Sequence, residues 1–130
     1  MKIILIVEDD QNTQDIYYQK LTQEGFKVVQ ARDGKKALVL AKQDPPDLII
    51  LDIMLPGGLN GFDVLEQIKE SDKLKDIPVI VLTNLSTEMD VAIKMGVVDY
   101  IVKANTPIDT VIEKVKKIIS DSSKKQEKQD

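Results

Sequence analysis

The chain has 130 residues, a formal net charge of −4, and neither cysteine nor histidine. This length fits one domain, and the content of 42% hydrophobic and 31% charged residues is typical of a globular protein. The missing residue types exclude disulfides, thiolate nucleophiles and imidazole bases, and the acidic balance argues against direct DNA binding. The chemistry that remains is that of carboxylates, hydroxyls, lysines and oxygen-liganded cations.

Five short aliphatic segments have the length and the Val and Ile content of β-strands. They are Ile3–Val7, Val28–Ala31, Leu48–Leu51, Val79–Leu82 and Tyr100–Val102. The longest of them is far too short to cross a bilayer, and the N-terminus lacks the pattern of a signal peptide. The sequence therefore predicts a cytoplasmic protein that makes no membrane contact.

Segments of helical length separate the strands. Apolar residues recur at helical spacing in four of them, and lysines lie opposite the apolar face of the last. The four are Lys35–Lys42, Phe62–Lys69, a stretch with Met89, Ala92, Ile93 and Gly96 on one side, and a stretch from Ile108 to Ile119. With a helix between the first two strands, the chain alternates strand and helix five times.

This alternation predicts an α/β fold, a doubly wound parallel sheet with helices on both faces. Polar residues within Lys27–Ala31 and Asp99–Lys103 favour edge positions for the second and fifth strands, because the other three strands are nearly all aliphatic. Residues 120–130 contain no apolar side chain and are predicted to form a disordered polar tail after a domain of residues 1–119.

Functional side chains are expected at the carboxyl ends of the strands, where open parallel sheets bind their ligands. The residues there are Glu8, Asp9 and Asp10 after the first strand, Asp52 after the third, Thr83 after the fourth and Lys103 after the fifth. Carboxylates crowded at one edge repel one another unless a cation neutralises them, and Mg²⁺ prefers oxygen ligands. The pattern predicts a Mg²⁺ site that leaves positions open for phosphate oxygens.

Each of these residues also has an ordinary structural interpretation when it is taken alone. The acids at 8–10 can form a solvated strand end, Thr83 is a common strand residue, and Tyr100 is typical of a half-buried edge. Asp10 is interpreted as the cap of the first helix rather than as a ligand. Four such motifs at four strand ends favour the functional interpretation.

Those four motifs carry a family resemblance. They are Ile-Val-Glu8-Asp9-Asp10, Leu-Asp52-Ile-Met-Leu-Pro56-Gly, Val-Leu-Thr83 and Tyr100-Ile-Val-Lys103. In this order, across residues 2–119, the sequence resembles the receiver domains of two-component response regulators. The resemblance implies a flavodoxin-like (βα)5 fold with strand order 2-1-3-4-5. It also implies a single-domain switch that catalyses its own phosphoryl transfer and slow dephosphorylation but is otherwise no enzyme.

The resemblance also implies a role for each site residue. Asp52 would accept a phosphoryl group from a phosphohistidine on a sensor histidine kinase or a phosphotransfer protein. Asp9 and Asp52 would bind Mg²⁺ directly, the backbone carbonyl of Met54 would add a third ligand, and Glu8 would act through a metal-bound water. Lys103 would pair with a phosphoryl oxygen.

The switch residues follow from the same resemblance. Thr83 would move toward the phosphoryl group, and Tyr100 would rotate inward into the space that this movement leaves. The surface of the fourth helix, fifth strand and fifth helix would then change and bind an unidentified effector protein.

Three positions depart from the family pattern. The loop after Pro56 is one residue longer than usual, so its path is not predicted. Asn84 stands where Ala or Gly is usual, and its larger side chain is expected to narrow access to the site. Ala104 stands where many relatives have a proline, so the Lys103–Ala104 peptide is expected to be trans.

Two other functions compete with the switch. A phosphatase of the haloacid dehalogenase type also has a doubly wound sheet, Mg²⁺ and an aspartyl nucleophile, but it requires Asp-x-Asp after its first strand, where this chain has Glu8-Asp9. A receiver-like scaffold that is never phosphorylated is disfavoured because the set of motif residues is complete.

Overall fold

The structure of the protein is a computed structural model that describes the backbone of residues 1–129 and the side chains of residues 1–123. Five strands form one sheet in the order β2-β1-β3-β4-β5, and every pair is parallel. The strands are β1 Ile3–Val7, β2 Lys27–Ala31, β3 Leu48–Leu51, β4 Val79–Thr83 and β5 Asp99–Val102. The predicted fold class, strand order and edge positions of β2 and β5 are confirmed.

Helices cover both faces of this sheet. They are α1 Gln11–Gln23, α2 Gly34–Gln43, α3 Gly61–Glu70, α4 Met89–Lys94 and α5 Ile108–Gln129. The apolar faces of α2 and α3 and residue Ala92 of α4 pack on one side, with Leu5 and Ile49 of the sheet. Those of α1 and α5 pack on the other side, with Ile4 and Ile50. Burial on both faces explains the continuous aliphatic runs of the central strands.

Helix α4 differs from its predicted packing. Only Ala92 of the predicted face is buried, whereas Met89 is 46% exposed and Ile93 is 49% exposed. The helix has 6 residues, and no side chain caps its first turn. A helix this short turns one small residue toward the sheet, and the following Val97 contributes to the core instead. The apolar side chains of α4 therefore form part of the protein surface.

Helix α5 is longer than the apolar pattern indicates. Composition predicts a disordered tail from residue 120, but the described backbone stays helical through Gln129. Lys, Gln and Glu, which dominate this stretch, are good helix formers and extend a helix that the buried face up to Ile119 already stabilises. Residue 130 lies outside the described residues. Within the described chain, every helix is too short or too polar to span a bilayer.

The start of α3 packs closely against the end of β3. Asn60 caps α3 through a reciprocal pair of hydrogen bonds with Asp63, and the Gly61 N–H donates to the Ile53 carbonyl at 2.8 Å. A Cβ at Gly61 would meet the carbonyl oxygen of Asp52 and lie 2.5 Å from the Ile53 Cα. The longer loop after Pro56 reaches this cap through Gly57 and Gly58, both with φ near 90°.

We predict that Gly61→Ala destabilises the protein by about 1–3 kcal/mol, because the added methyl group meets backbone that cannot rotate away. The free energy of unfolding in urea measures this loss. Gln67→Ala, at an exposed position of the same helix, is the control and should change stability by less than about 0.5 kcal/mol. Equal stability of the two variants would show that α3 shifts freely away from β3.

Candidate functional site

Three carboxylates meet at the carboxyl edge of the sheet. Glu8 follows β1, Asp9 follows Glu8, and Asp52 follows β3. One carboxylate oxygen from each lies within 4.8 Å of the others, so these residues can hold one metal ion. Glu8 and Asp52 are 3% and 6% exposed, whereas Asp9 faces solvent. The predicted convergence of these acids is confirmed, and Asp9 leaves one side of the cluster open.

Lys103 reaches the cluster from the end of β5. Its Nζ donates to Asp52 Oδ2 at 3.0 Å and also forms an ion pair with the Glu8 carboxylate. The lysine side chain is 17% exposed. The hydrogen bond to Glu8 and the charge of Asp52 raise the pKa of Lys103 against the opposing effect of its burial. This ammonium therefore remains charged and partly neutralises two buried acids.

Burial disfavours the ionised form of Glu8 even though Lys103 pairs with it. The pKa of Glu8 is raised from 4.5 to about 7, chiefly because burial desolvates the carboxylate. The hydrogen bond from Lys103 opposes this rise without cancelling it, and the nearby charge of Asp52 adds to it. One ammonium against three carboxylates leaves net negative charge, which a divalent cation with oxygen ligands is suited to neutralise. The donor set therefore fits Mg²⁺.

The carboxylate of Asp52 is oriented by its own loop. Its Oδ1 accepts a hydrogen bond from the Met54 N–H at 3.1 Å, while Oδ2 accepts from Lys103. The Met54 side chain is 60% exposed beside the site. Asp10 is set apart from the cluster as predicted, because its carboxylate accepts from the Thr13 N–H at 3.0 Å and caps α1.

Two further residues hold the backbone of the acidic pair, and neither was predicted from the sequence. Gln14, 1% exposed, donates from Nε2 to the carbonyls of Ile6, Glu8 and Ala31 at 2.8–3.2 Å. Arg32 donates to the Asp9 carbonyl at 3.0 Å. The available signal was a glutamine one helical turn before Tyr17 and two turns before Leu21, on the face of α1 that packs against the sheet.

The two switch candidates share one loop residue. Thr83 is fully buried, and its Oγ1 accepts from the Leu85 N–H at 3.3 Å. The Tyr100 hydroxyl donates to the Leu85 carbonyl, and the residue is 8% exposed. The Tyr100 ring thus lies inside the protein in this structure. The carbonyl of Leu85 gives its hydroxyl a partner in that position.

Asn84 and Ala104, two of the departures from the family pattern, contact each other. Asn84 Oδ1 accepts from the Ala104 N–H at 3.0 Å. The expected trans peptide between Lys103 and Ala104 is confirmed, since the described residues contain no cis peptide bond. The carboxamide oxygen of Asn84 is thus engaged with the turn after β5.

We predict that Glu8→Gln alters the pH dependence of stability in the absence of divalent metal. The folded protein binds the Glu8 proton more tightly than the unfolded chain does, so wild-type stability falls as pH rises from 4.5 toward 7. Glu8→Gln has no such proton to release, so its free energy of unfolding relative to that of wild type should rise by about 1 kcal/mol or more over that pH range.

Urea unfolding with a chelator at several pH values measures the difference. Glu66→Gln, at an exposed position of α3, is the matched control and should follow wild type. Parallel curves for Glu8→Gln and wild type would contradict the raised pKa.

The chain matches the family model of the response regulator receiver domain over residues 4–116. The transcriptional regulatory protein AfsQ1 of Streptomyces coelicolor is 38% identical over 105 residues, which are 79% of this chain and 45% of AfsQ1. The chain therefore spans less than half the length of this curated relative.

Solved structures agree with this match. The non-phosphorylated HemR receiver domain from Leptospira biflexa has a TM-score of 0.82 at 30% identity, with 92% of this chain and 95% of that one covered. The Mn²⁺-bound form of response regulator Rcp1 has a TM-score of 0.76 at 32% identity, with 92% and 93% covered. Four motifs, the strand order and these matches agree, and the chain belongs to the receiver domains of two-component response regulators.

Proposed function

We propose that this receiver domain is a switch activated by phosphorylation of Asp52. The donor is a phosphohistidine on a sensor histidine kinase or a phosphotransfer protein. The observation that carries the proposal is the contact of Lys103 with Asp52 beside two further acids. This arrangement supplies a carboxylate nucleophile together with positive charge at the atom that receives the phosphoryl group.

The transfer exchanges one bond to phosphorus for another. A carboxylate oxygen of Asp52 forms the new P–O bond, and the bond from phosphorus to the imidazole nitrogen breaks, with its electron pair passing to the leaving imidazole. Lys103 then pairs with a phosphoryl oxygen, which exchanges one anionic partner for another. Because negative charge concentrates on the phosphoryl oxygens during the transfer, the ammonium stabilises the transition state.

Mg²⁺ is the proposed cofactor of this site. Asp9, Asp52 and the Met54 carbonyl would bind it directly, and Glu8 would act through a metal-bound water. The bound ion would supply positive charge to the phosphoryl oxygens. Support comes from the cluster of three acids and from the Mn²⁺-bound form of the similar regulator Rcp1.

Phosphorylation would act on the loop after β4. A phosphoryl group adds a charge of about −1.5 to −2 and strong acceptor oxygens, which attract the Thr83 hydroxyl and the Asn84 N–H. Leu85 contacts both Thr83 and Tyr100, so a moving loop would alter the position of Tyr100. We propose that phosphorylation selects one position of this ring and so changes the surface of α4, β5 and α5.

That surface is the proposed binding site for an effector protein. Met89, Val91 and Ile93 of α4 are 46–49% exposed, which gives the surface apolar contact area. We place the receiver unit at residues 1–119, supported by the match to residues 4–116 and by burial of Ile119.

We predict that Asp52→Asn abolishes phosphorylation by acetyl phosphate with Mg²⁺, because an amide is not a comparable nucleophile and carries no charge for the metal. Intact-protein mass spectrometry measures the phosphoryl adduct. Asp44→Asn, at an exposed position after α2, is the control and should be modified like wild type. An adduct of undiminished yield on Asp52→Asn would place the phosphoacceptor elsewhere.

We also predict slow loss of the phosphoryl group. Hydrolysis requires a water in line with the acyl phosphate, and the residues two positions after Asp52 and Thr83 are Met54 and Leu85, which cannot orient water. Met54→Asn combined with Leu85→Glu should accelerate decay about tenfold or more. Decay of the adduct, followed after removal of the donor, tests this, and an unchanged rate in the double variant would refute it.

A further inference from the structure

The turn after β5 determines where the Lys103 side chain begins. A single 3₁₀ turn, Lys103–Asn105, follows the strand directly. The lysine Nζ lies 3.0 Å from Asp52 Oδ2. A flexible four-carbon stem joins the ammonium to this turn, so the backbone of the turn sets the range of positions that the ammonium occupies.

The N–H of Ala104 lies in the first part of this turn, where backbone donors have no partner within the helix. It donates instead to Asn84 Oδ1 at 3.0 Å. Asn84 directly follows Thr83, which pairs in register with Val102 at the end of β5. The hydrogen bond therefore closes the β4–β5 pair at the carboxyl edge that carries the site.

We propose that Asn84 is a positioning residue for the phosphorylation site, because its hydrogen bond to Ala104 fixes the turn from which Lys103 reaches Asp52. The inference rests on the proposed function and deepens it. Asn84 then assists phosphorylation by supporting Lys103, instead of hindering it by narrowing access to the site. It also makes the loop that carries Thr83 and the turn that carries Lys103 parts of one connected unit.

Two variants separate positioning from obstruction. Asn84→Leu keeps the size of the side chain and removes the acceptor, while Asn84→Ala removes both. Positioning predicts that both variants slow phosphorylation by acetyl phosphate about 2- to 10-fold, the factor that corresponds to loss of one neutral hydrogen bond. Obstruction predicts that Asn84→Ala accelerates phosphorylation and that Asn84→Leu does not.

Two controls accompany these rates. Asn105→Leu removes a carboxamide from an exposed position of the same turn, one that makes no side-chain hydrogen bond to the described residues, and should leave the rate unchanged. Mg²⁺ affinity of unphosphorylated Asn84→Leu should equal that of wild type, because Asn84 acts on the lysine turn. Equal rates in wild type and Asn84→Leu, or weaker Mg²⁺ binding that accounts for the slower rate, would overturn the proposal.

Hydrogen exchange of the Ala104 amide tests the partner, because this N–H is the donor in the hydrogen bond. The measurement does not depend on phosphorylation, and exchange should be faster in Asn84→Leu than in wild type. Equal exchange would refute the inference by itself.

These measurements distinguish failure of the proposed function from failure of the role proposed for Asn84. A wild-type protein that accepts no phosphoryl group would contradict the proposed function. A wild-type protein that is phosphorylated, together with Asn84→Leu that reacts at the same rate, would contradict the role of Asn84 alone.

Discussion

The burial of two carboxylates beside a third at one edge of the sheet is the constraint on which the site depends. Two of these acids are almost fully buried, and one ammonium serves both. Burial makes ionised Glu8 costly, as its raised pKa shows. A site with this imbalance attracts cations, because their binding relieves an unfavourable charge that the fold itself maintains.

The rest of the structure keeps those charges from moving apart. Gln14 holds three carbonyls at the ends of β1 and β2 from inside the protein, and Arg32 holds the next carbonyl from outside. The close contact of α3 at Gly61 fixes the backbone of Asp52. Backbone hydrogen bonds and packing of aliphatic strands therefore supply the rigidity that a preorganised charge cluster requires.

The fold was predictable because strands buried on both faces leave continuous aliphatic runs, and alternation with helices leaves one topology class. Glu8, Asp52 and Lys103 were predictable as neighbours because parallel strands bring their carboxyl ends to one edge. The hydrogen bonds of Gln14 and Asn84 were not, since they join a side chain to backbone groups of other parts of the fold through particular rotamers. The exposed face of α4 escaped prediction because periodicity does not show how short a helix is.

The inward position of Tyr100 changes what phosphorylation must accomplish. A phosphoryl group shifts a conformational equilibrium only by its difference in interaction with the two states. Here burial of the ring and the hydrogen bond to Leu85 already favour the inner position. Because Leu85 also contacts Thr83, attraction of Thr83 toward a phosphoryl group either preserves or breaks that hydrogen bond. The position of Leu85 therefore decides how strongly phosphorylation is coupled to the position of the Tyr100 ring. It matters more than the space available to the ring.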